Sequence, residues 1–560
     1  MVLLRIYSIV INLLLVSTLA NFNIRENIPM KSEAIPVANI IEEDYPIEEE
    51  KKYIREVAYK YQPIEKPKED LTPIVPEVFN TTLLEYSSQY NNQTVKEIHP
   101  NPTQVFPEKY TDMEGVITFR GNNLRNAPSY GISNIKDEKL QKIWEFNTGR
   151  SSWGGGAGWT GQPVIVRWSE EMKAMMNLEE EFKEKDGFTE VIYGSLGGSI
   201  YFLELNTGKP SRSPIPIKNP IKGSVAIDPR EYPLLYIGDG INESGKFGYR
   251  IFSLIDSKEL YFIKGNDPFA YRGWGAFDSC SIVSPYADTL IVAGENGLFY
   301  NIDLNTNFHR KNKEITIDPK IIKYRYKIKG NAHQGIENST AVYKNLAFFA
   351  DNGGSIQCVD LTNMKPVWAL EKSDDTDATI TIDVENGIPY LYTGTEVDKQ
   401  GTKGNAIIKK INGITGETVW KKNYECQSIL GERPVNGGIL ATNVVGKNDI
   451  SNMVIFTIAR YKTINSGLMV ALDKTTGDEI WTWEMPNYAW SSPVDFYDAD
   501  GKGYIIQCDS IGNMYLLDGI TGKILNKINL GSNIESSPAV FEDYIVVGTR
   551  GGNIVGVKIK

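Results

Sequence analysis

Histidine and cysteine are scarce in this chain of 560 residues, at 3 and 4 copies, and no two cysteines are adjacent. So few soft ligands leave little material for a zinc site. Lys and Arg number 59 against 70 Asp and Glu, a net charge of 59 − 70 = −11 at pH 7. That balance works against nonspecific binding to nucleic acid or to an anionic membrane, because both are won by cations displacing counterions. There is no G-x-x-x-x-G-K-[ST] phosphate loop and no Ser/His/Asp signature. Cys280, Cys358, Cys426 and Cys508 could form two disulfides. Their wide separation, and the strand-like runs around Cys358 and Cys508, favour small buried thiols instead. What the chain has in quantity is turn and strand material: 50 Gly and 30 Tyr beside a hydrophobic fraction of 41%. The mixture argues for many strands and tight turns rather than helical bundles.

Residues 1–20, MVLLRIYSIVINLLLVSTLA, carry one early Arg and then an apolar run ending in small residues, with Thr18 and Ala20 at −3 and −1 of a cleavage after Ala20. This is a secretory signal pattern. A retained anchor is the alternative, although the run, at about 15 residues, falls short of the ~20 that span a bilayer. The first cysteine is Cys280, so a bacterial lipid anchor has no acceptor. The expectation is an exported chain at the cell envelope or outside it, and not a lipoprotein. Residues 21–110 lose periodicity, with acidic runs at 42–44 and 48–50 and prolines from Pro46 to Pro107. Such a segment buries too little apolar surface to offset its entropy, so it is expected to be a disordered tether.

From residue 111 onward one motif is repeated. ALDKTTGDEIWTWEM (471–485), LLDGITGKILNKINL (516–530) and KINGITGETVWKKNY (410–424) align, and 202–216 and 358–372 are worn copies. Each has a strand ending in Asp, Asn or Glu, a Thr-Gly turn, and a new strand often carrying Trp. The acid or amide folds back on the backbone, and Gly208, Gly416, Gly477 and Gly522 supply the positive φ that follows. Two further alternating runs precede each turn, as in SSPAVFEDYIVVGTRGGNIVGVKI (536–559). The units fall at 159–216, 223–263, 277–328, 337–372, 378–424, 435–485, 490–530 and 536–559. The period is that of propeller blades, so the expected fold is all-β: an eight-bladed β-propeller spanning 111–560. The last unit lacks an outer strand, which KIWEFNTG (142–149) can supply, closing the ring and removing its open edge. Trp144, Trp368, Trp420 and Trp481 are expected to anchor neighbouring blades to one another.

The repeat resembles the PQQ-type β-propeller repeat, in which an Asp-x-x-Thr-Gly turn and a following Trp lock adjacent blades. FRGNNLRNAPSYG (119–131) resembles the lead-in of many exported members. That superfamily includes quinone-dependent dehydrogenases and non-catalytic scaffolds such as the BamB-type assembly lipoprotein, so the resemblance implies architecture more than chemistry. The dehydrogenases typically carry adjacent bridged cysteines, absent here, and the BamB type a lipidated cysteine, also absent.

Residues just before each inner strand should crowd one mouth of the central channel. That offset selects Asp377 among others, and of the residues it selects Trp159, Asp278, Glu337, Asn338, Asn436, Trp490 and Glu535 are the ligand-binding candidates. Asp278, Glu337, Asn338 and Glu535 could hold a hard cation such as Ca2+, which prefers oxygen. With PQQ, that would be a dehydrogenase constellation. The plain alternative is that polar residues at a mouth are solvated or cap strands. DFYDADGKGY (495–504) contains part of a calcium loop without its distal Glu, and reads better as a hairpin turn. In 169–187, Met172, Met175, Met176 and Phe182 share one face of an amphipathic helix that either covers its own blade or docks a partner. The function expected is an exported, non-catalytic scaffold binding an envelope protein partner or a small ligand. The alternatives are a PQQ- and calcium-dependent dehydrogenase, and a carbohydrate- or peptide-binding module using Trp153, Trp159 and Trp490.

Overall fold

The computed structural model describes residues 34–36, 71–78, 81–158, 161–431 and 434–560. The expectations for residues 1–20, for most of 21–70 and for Trp159 lie outside them. Eight sheets succeed one another along the chain, covering 164–216, 226–264, 282–328, 341–369, 381–427, 437–485, 494–529 and 539–559. They follow the eight units of the repeat, and the fold is an all-β, eight-bladed propeller. Leu140–Asn147 pairs antiparallel with Asn553–Ile559, so a strand that precedes the first blade in sequence completes the last blade. Among the described residues no helix is long and apolar enough to cross a membrane.

The turn chemistry explains how blades lock. Gly208, Gly416, Gly477 and Gly522 have φ of 68°, 74°, 73° and 69°. A Cβ on each would stand 2.5–2.9 Å from a ring atom of Trp144, Trp368, Trp420 or Trp481, respectively. Each indole comes from the preceding blade and donates its Nε1–H to a carbonyl of the same turn: Leu205, Gly413, Lys474 and Gly519, at 2.7–3.1 Å. Glycine is therefore required twice, for the left-handed backbone and for the ring above it. The first blade has no such Trp. Arg212 takes the role, donating to Leu254 O at 3.0 Å while its buried guanidinium pairs with buried Glu190.

A belt of side-chain bonds holds the inner strands to each other. Backbone N–H groups of Gln162, Cys280, Ser339, Thr379 and Thr442 donate to the hydroxyls of Ser224, Ser339, Thr379, Thr442 and Ser492, in each case across a blade boundary. Ser491 Oγ donates to Ser536 O, and Ser537 N–H to Gly161 O, completing the run through the last blade to the first. The four cysteines are free and buried, in four different blades.

Residues 114–130 fill the channel as a hub. Glu114–Val116 pairs with the first inner strand, and Ser129–Tyr130 runs parallel to the last. Between them, carbonyls of Ile117, Asn123 and Leu124 accept from Ile227, Val342 and Ile382 N–H. Arg120, fully buried, donates to Asn443 O and Pro493 O. Arg125, also fully buried, donates to Thr340 O and Cys280 O. This one segment bonds to inner strands all round the ring.

Two expectations are corrected. Residues 71–110 are not a free tether. Leu84–Tyr90 pairs along Lys320–Ile328 as an added strand on the third blade, and turns at Asn91 and Asn92 (φ 46° and 66°) into Gln93–Val95. Gln104, Val105 and Phe106 are buried against the ring. The amphipathic segment is also broken, into helices Glu170–Met175 and Glu180–Lys183. Its face of Met172, Met175, Met176 and Phe182 is buried in one core cluster with Phe188 and Phe202. A side chain already covered by its own blade is not available to a partner.

Candidate functional site

The channel mouth opposite the Thr-Gly turns carries the charge. Asp278 and Glu337, both picked out by their offset before an inner strand, meet Glu295 with carboxylate oxygens within 4.8 Å of one another. A second trio, Asp375, Asp377 and Glu396, converges equally closely. The offset missed Glu295 and Glu396 because they follow the second strand of a blade. A signal for them exists: that strand ends before an acid in several blades, at Asp239, Glu295, Asp351, Glu396 and Asp509. Asp351 and Asp509 fold back to cap their own turns, accepting from Gly353 and Ser355 N–H and from Ile511 and Asn513 N–H, while Asp239 pairs with Arg250 on the next strand. The two Glu members, one methylene longer, join the mouth.

The two trios differ in how their charge is offset. Lys222, from the second blade, ion-pairs with Asp278 and lies 3.5 Å from Glu295, and Arg272 stands 3.9 Å from Glu295. Burial opposes the Lys222 charge, but Asp278, Glu295 and Glu337 outweigh it and hold its ammonium well above the usual lysine range. Burial pushes Asp278 up to about 6 against the pull of Lys222, and Glu295 well up, with repulsion from Glu337 adding to it. In the second trio the nearest cation, Lys399, is 3.5 Å from Asp375 and bonds to Asp398 at 2.7 Å. Burial raises Asp375 to about 7 and carries Asp377 and Glu396 well above the carboxylate range, with their like charges adding. Desolvation and mutual repulsion both disfavour the ionised forms.

The remaining candidates divide. Asn436 donates to Glu396 at 2.9 Å and so belongs to the second trio. Asn338 is buried structure: its amide donates to Ala350 O and Thr376 O and accepts from Ala350 N–H. Glu535 stands apart, accepting from Asn533 and lying 3.4 Å from Arg550. Trp490 packs against Tyr488 at 5.8 Å, with Arg460 over the Tyr488 ring at 4.1 Å. Trp153 is exposed on the loop that enters the first blade. In 495–504, Asp498 accepts from Asp500 and Lys502 N–H around Gly501 (φ 83°), which is a hairpin turn.

The calcium set Asp278, Glu337, Asn338 and Glu535 therefore does not fit a cation. Lys222 already pairs with Asp278, the Asn338 oxygen accepts from Ala350 N–H, and Glu535 lies against Arg550. The four thiols lie in four blades and form no adjacent bridged pair of the kind the resemblance to the dehydrogenases implies.

No protein-family model matches the chain. Over 161 residues it is 33% identical to the outer membrane protein assembly factor BamB of Kangiella koreensis. The chain is similar to BamB. The match takes in 27% of this chain and spans 39% of that BamB. Among solved structures, BamB from Moraxella catarrhalis aligns over 70% of the chain and 98% of its own length, at 15% identity and a TM-score of 0.45. A europium-containing methanol dehydrogenase aligns over 80% and 98%, at 13% identity and a TM-score of 0.40.

Proposed function

We propose that this chain is a BamB-like, non-catalytic binding scaffold of the cell envelope that takes a protein partner on its channel-mouth face. The observation that carries the proposal is the placement of exposed apolar side chains around the acids. Trp153 and Trp274, the two tryptophans most exposed among the described residues, both lie on mouth-side loops, with Tyr271, Leu430 and Ile511 on the same face. Large exposed aromatics beside desolvated charge are the composition of interface hot spots. The hub closes the channel below, so a partner is met at the rim and not threaded through. The acids favour a partner surface that is basic as well as apolar. The envelope location rests on the signal-like pattern of residues 1–20 and on the similarity to an outer membrane assembly factor.

The test is crosslinking in envelope fractions of cells producing this chain, comparing wild type with the Trp153→Ala/Trp274→Ala variant. A defined protein crosslinked by wild type and lost in the variant is the expected result. Recovery of the chain alone, or of the same species by both, overturns the proposal. Reconstitution with PQQ and calcium followed by alcohol-dependent dye reduction would instead establish the dehydrogenase alternative.

A further inference from the structure

The two carboxylate trios pose one electrostatic problem, and the fold sets an ammonium into the middle of only one of them. At Asp278, Glu295 and Glu337, Lys222 reaches two of the three acids, although Asp278 Oδ1 keeps no donor. At Asp375, Asp377 and Glu396 the cation stands at the edge: Lys399 lies 3.5 Å from Asp375 and bonds to Asp398, leaving Asp377 and Glu396 with no ammonium. Glu396 is 1% and Asp377 9% exposed, and no protein donor reaches Asp375 Oδ1, Asp377 Oδ1 or Glu396 Oε1. Asn436 spends its amide N–H on Glu396 Oε2, and its own Oδ1 is buried without a partner. Four oxygens, three carboxylate and one amide, are thus left without donors in a place closed to bulk water. Buried polar atoms are paired in folded proteins with few exceptions, and unpaired ones require an explanation. A single ion can bridge carboxylate oxygens that lie within 4.8 Å of one another.

We infer that Asp375, Asp377, Glu396 and Asn436 bind one calcium ion. The three carboxylates offer ligand atoms within 4.8 Å of one another, a spacing compatible with the 2.3–2.6 Å from a common centre that calcium requires, and Asn436 is tied to them through Glu396. The ligands are all hard oxygen, with neither Cys nor His among them, which excludes the softer metals. Magnesium demands near-ideal octahedral geometry, while a site drawn from one loop, one short strand and the next blade's loop suits the flexible shell of calcium. The loop is itself held in place: Asp374, next to the first ligand, accepts from the N–H groups of Asp398 and Lys399 and from Gln400. That contact ties 374–377 to the chain following Glu396.

The experiment titrates full-length protein, stripped of divalent ions, with CaCl2 by calorimetry. The Asp377→Asn/Glu396→Gln and Glu295→Gln variants are titrated in parallel, and a melt of each is run with and without calcium. One equivalent should bind wild type with Kd below about 1 mM. The double variant should bind at least about tenfold more weakly, and Glu295→Gln should bind as wild type does. Calcium should raise Tm in wild type and Glu295→Gln only. Asp375→Asn, at the edge of the cluster, gives the same test should the double variant fail to fold. Three results overturn the inference: no saturable binding by wild type, equal binding by the double variant, or loss of binding in Glu295→Gln. A wild type whose Tm calcium leaves unmoved while the double variant melts above it overturns it too, showing that Asp377 and Glu396 merely share a proton.

Discussion

Replacing Arg125 by Met removes the centre of the hub while keeping most of the volume of the side chain. The guanidinium donates from Nε to Thr340 O at 2.9 Å, from Nη1 to Phe119 O and Thr118 Oγ1 at 2.9 Å, and from Nη2 to Cys280 O at 2.7 Å. Thr118 Oγ1 also reaches Ser281 O at 2.8 Å, so it is not orphaned. The three carbonyls are, and a buried acceptor without a donor costs about 1–3 kcal/mol. Against this stands the desolvation of a cation that has no carboxylate partner: burial pulls its pKa below the ordinary arginine range, so the native state already bears part of the loss. Three orphaned carbonyls, partly offset by the relief of that desolvation, give a net expected destabilisation of about 3–5 kcal/mol. With unfolding entropy proportional to chain length, each kcal/mol moves Tm of a propeller this size by only about 1 °C. Arg125→Met should therefore lower Tm by about 3–5 °C in a thermal melt, and Arg125→Lys, which keeps the charge but not the fork, by less. Amide exchange in 114–130 should rise in step. A Tm within about 1 °C of wild type, with exchange unchanged, would refute the claim that the guanidinium holds the inner strands together.

The remaining predictions concern turns, acids and rim. Gly477→Ala places a methyl 2.8 Å from the Trp420 ring at φ 73°, whereas Gly187→Ala, at φ 61°, meets nothing within 4 Å. Urea melts should show the second costing about 1 kcal/mol from backbone strain and the first at least about 2 kcal/mol more; equal losses would mean that the indole is not docked. Burial raises Asp239 to about 6 and Asp351 to about 7. The folded state then binds more protons than the unfolded state between about pH 4 and 7, so stability falls as pH rises through that window. Melts in buffers from pH 5 to 8 should show Tm declining in this direction, and Asp351→Asn should flatten the slope; a rising Tm would contradict the sign. Trp153→Ala should leave Tm within about 1 °C, because the side chain is 51% exposed.

The blades were legible because each is written with local chemistry. An Asx turn, a glycine of positive φ and an indole can be recognised without knowing what surrounds them. Where the writing is worn, the structure keeps the geometry by other means. Ser257 and Met364 take the glycine position with φ of 61° and 56°, and Arg212 stands in for Trp. The site was half legible. Position before an inner strand identified Asp278 and Glu337, but could not separate them from Asn338, whose amide caps a strand. It also passed over Glu295 and Glu396, since an acid after the second strand can equally cap its turn, as Asp351 and Asp509 do, or pair with an arginine, as Asp239 does. The Met face was legible as amphipathic, but sequence gives no hint of which surface covers it.

The hub and the docked residues 71–110 were hidden for a different reason. Their partners are backbone groups hundreds of residues away, and a segment that completes other strands needs no periodicity of its own. Closing the ring with Leu140–Asn147 disposes of the outer edge of the last blade only. Every blade has a second edge, the inner one, which faces the channel and presents N–H and C=O groups with no neighbouring strand. Water can satisfy them in an open channel, as it does at any exposed sheet edge. Here 114–130 does so instead, turning at Arg120, Gly121 and Arg125 with φ of 57°, 77° and 58°. The turns let the two guanidinium groups reach carbonyls on opposite sides of the ring. Arg suits this because it carries five donors in a rigid fork and no acceptor, matching a channel wall made of carbonyl oxygens. The stretch FRGNNLRN, which looked like a family lead-in, is therefore explained by the unpaired inner edges of the blades that surround it.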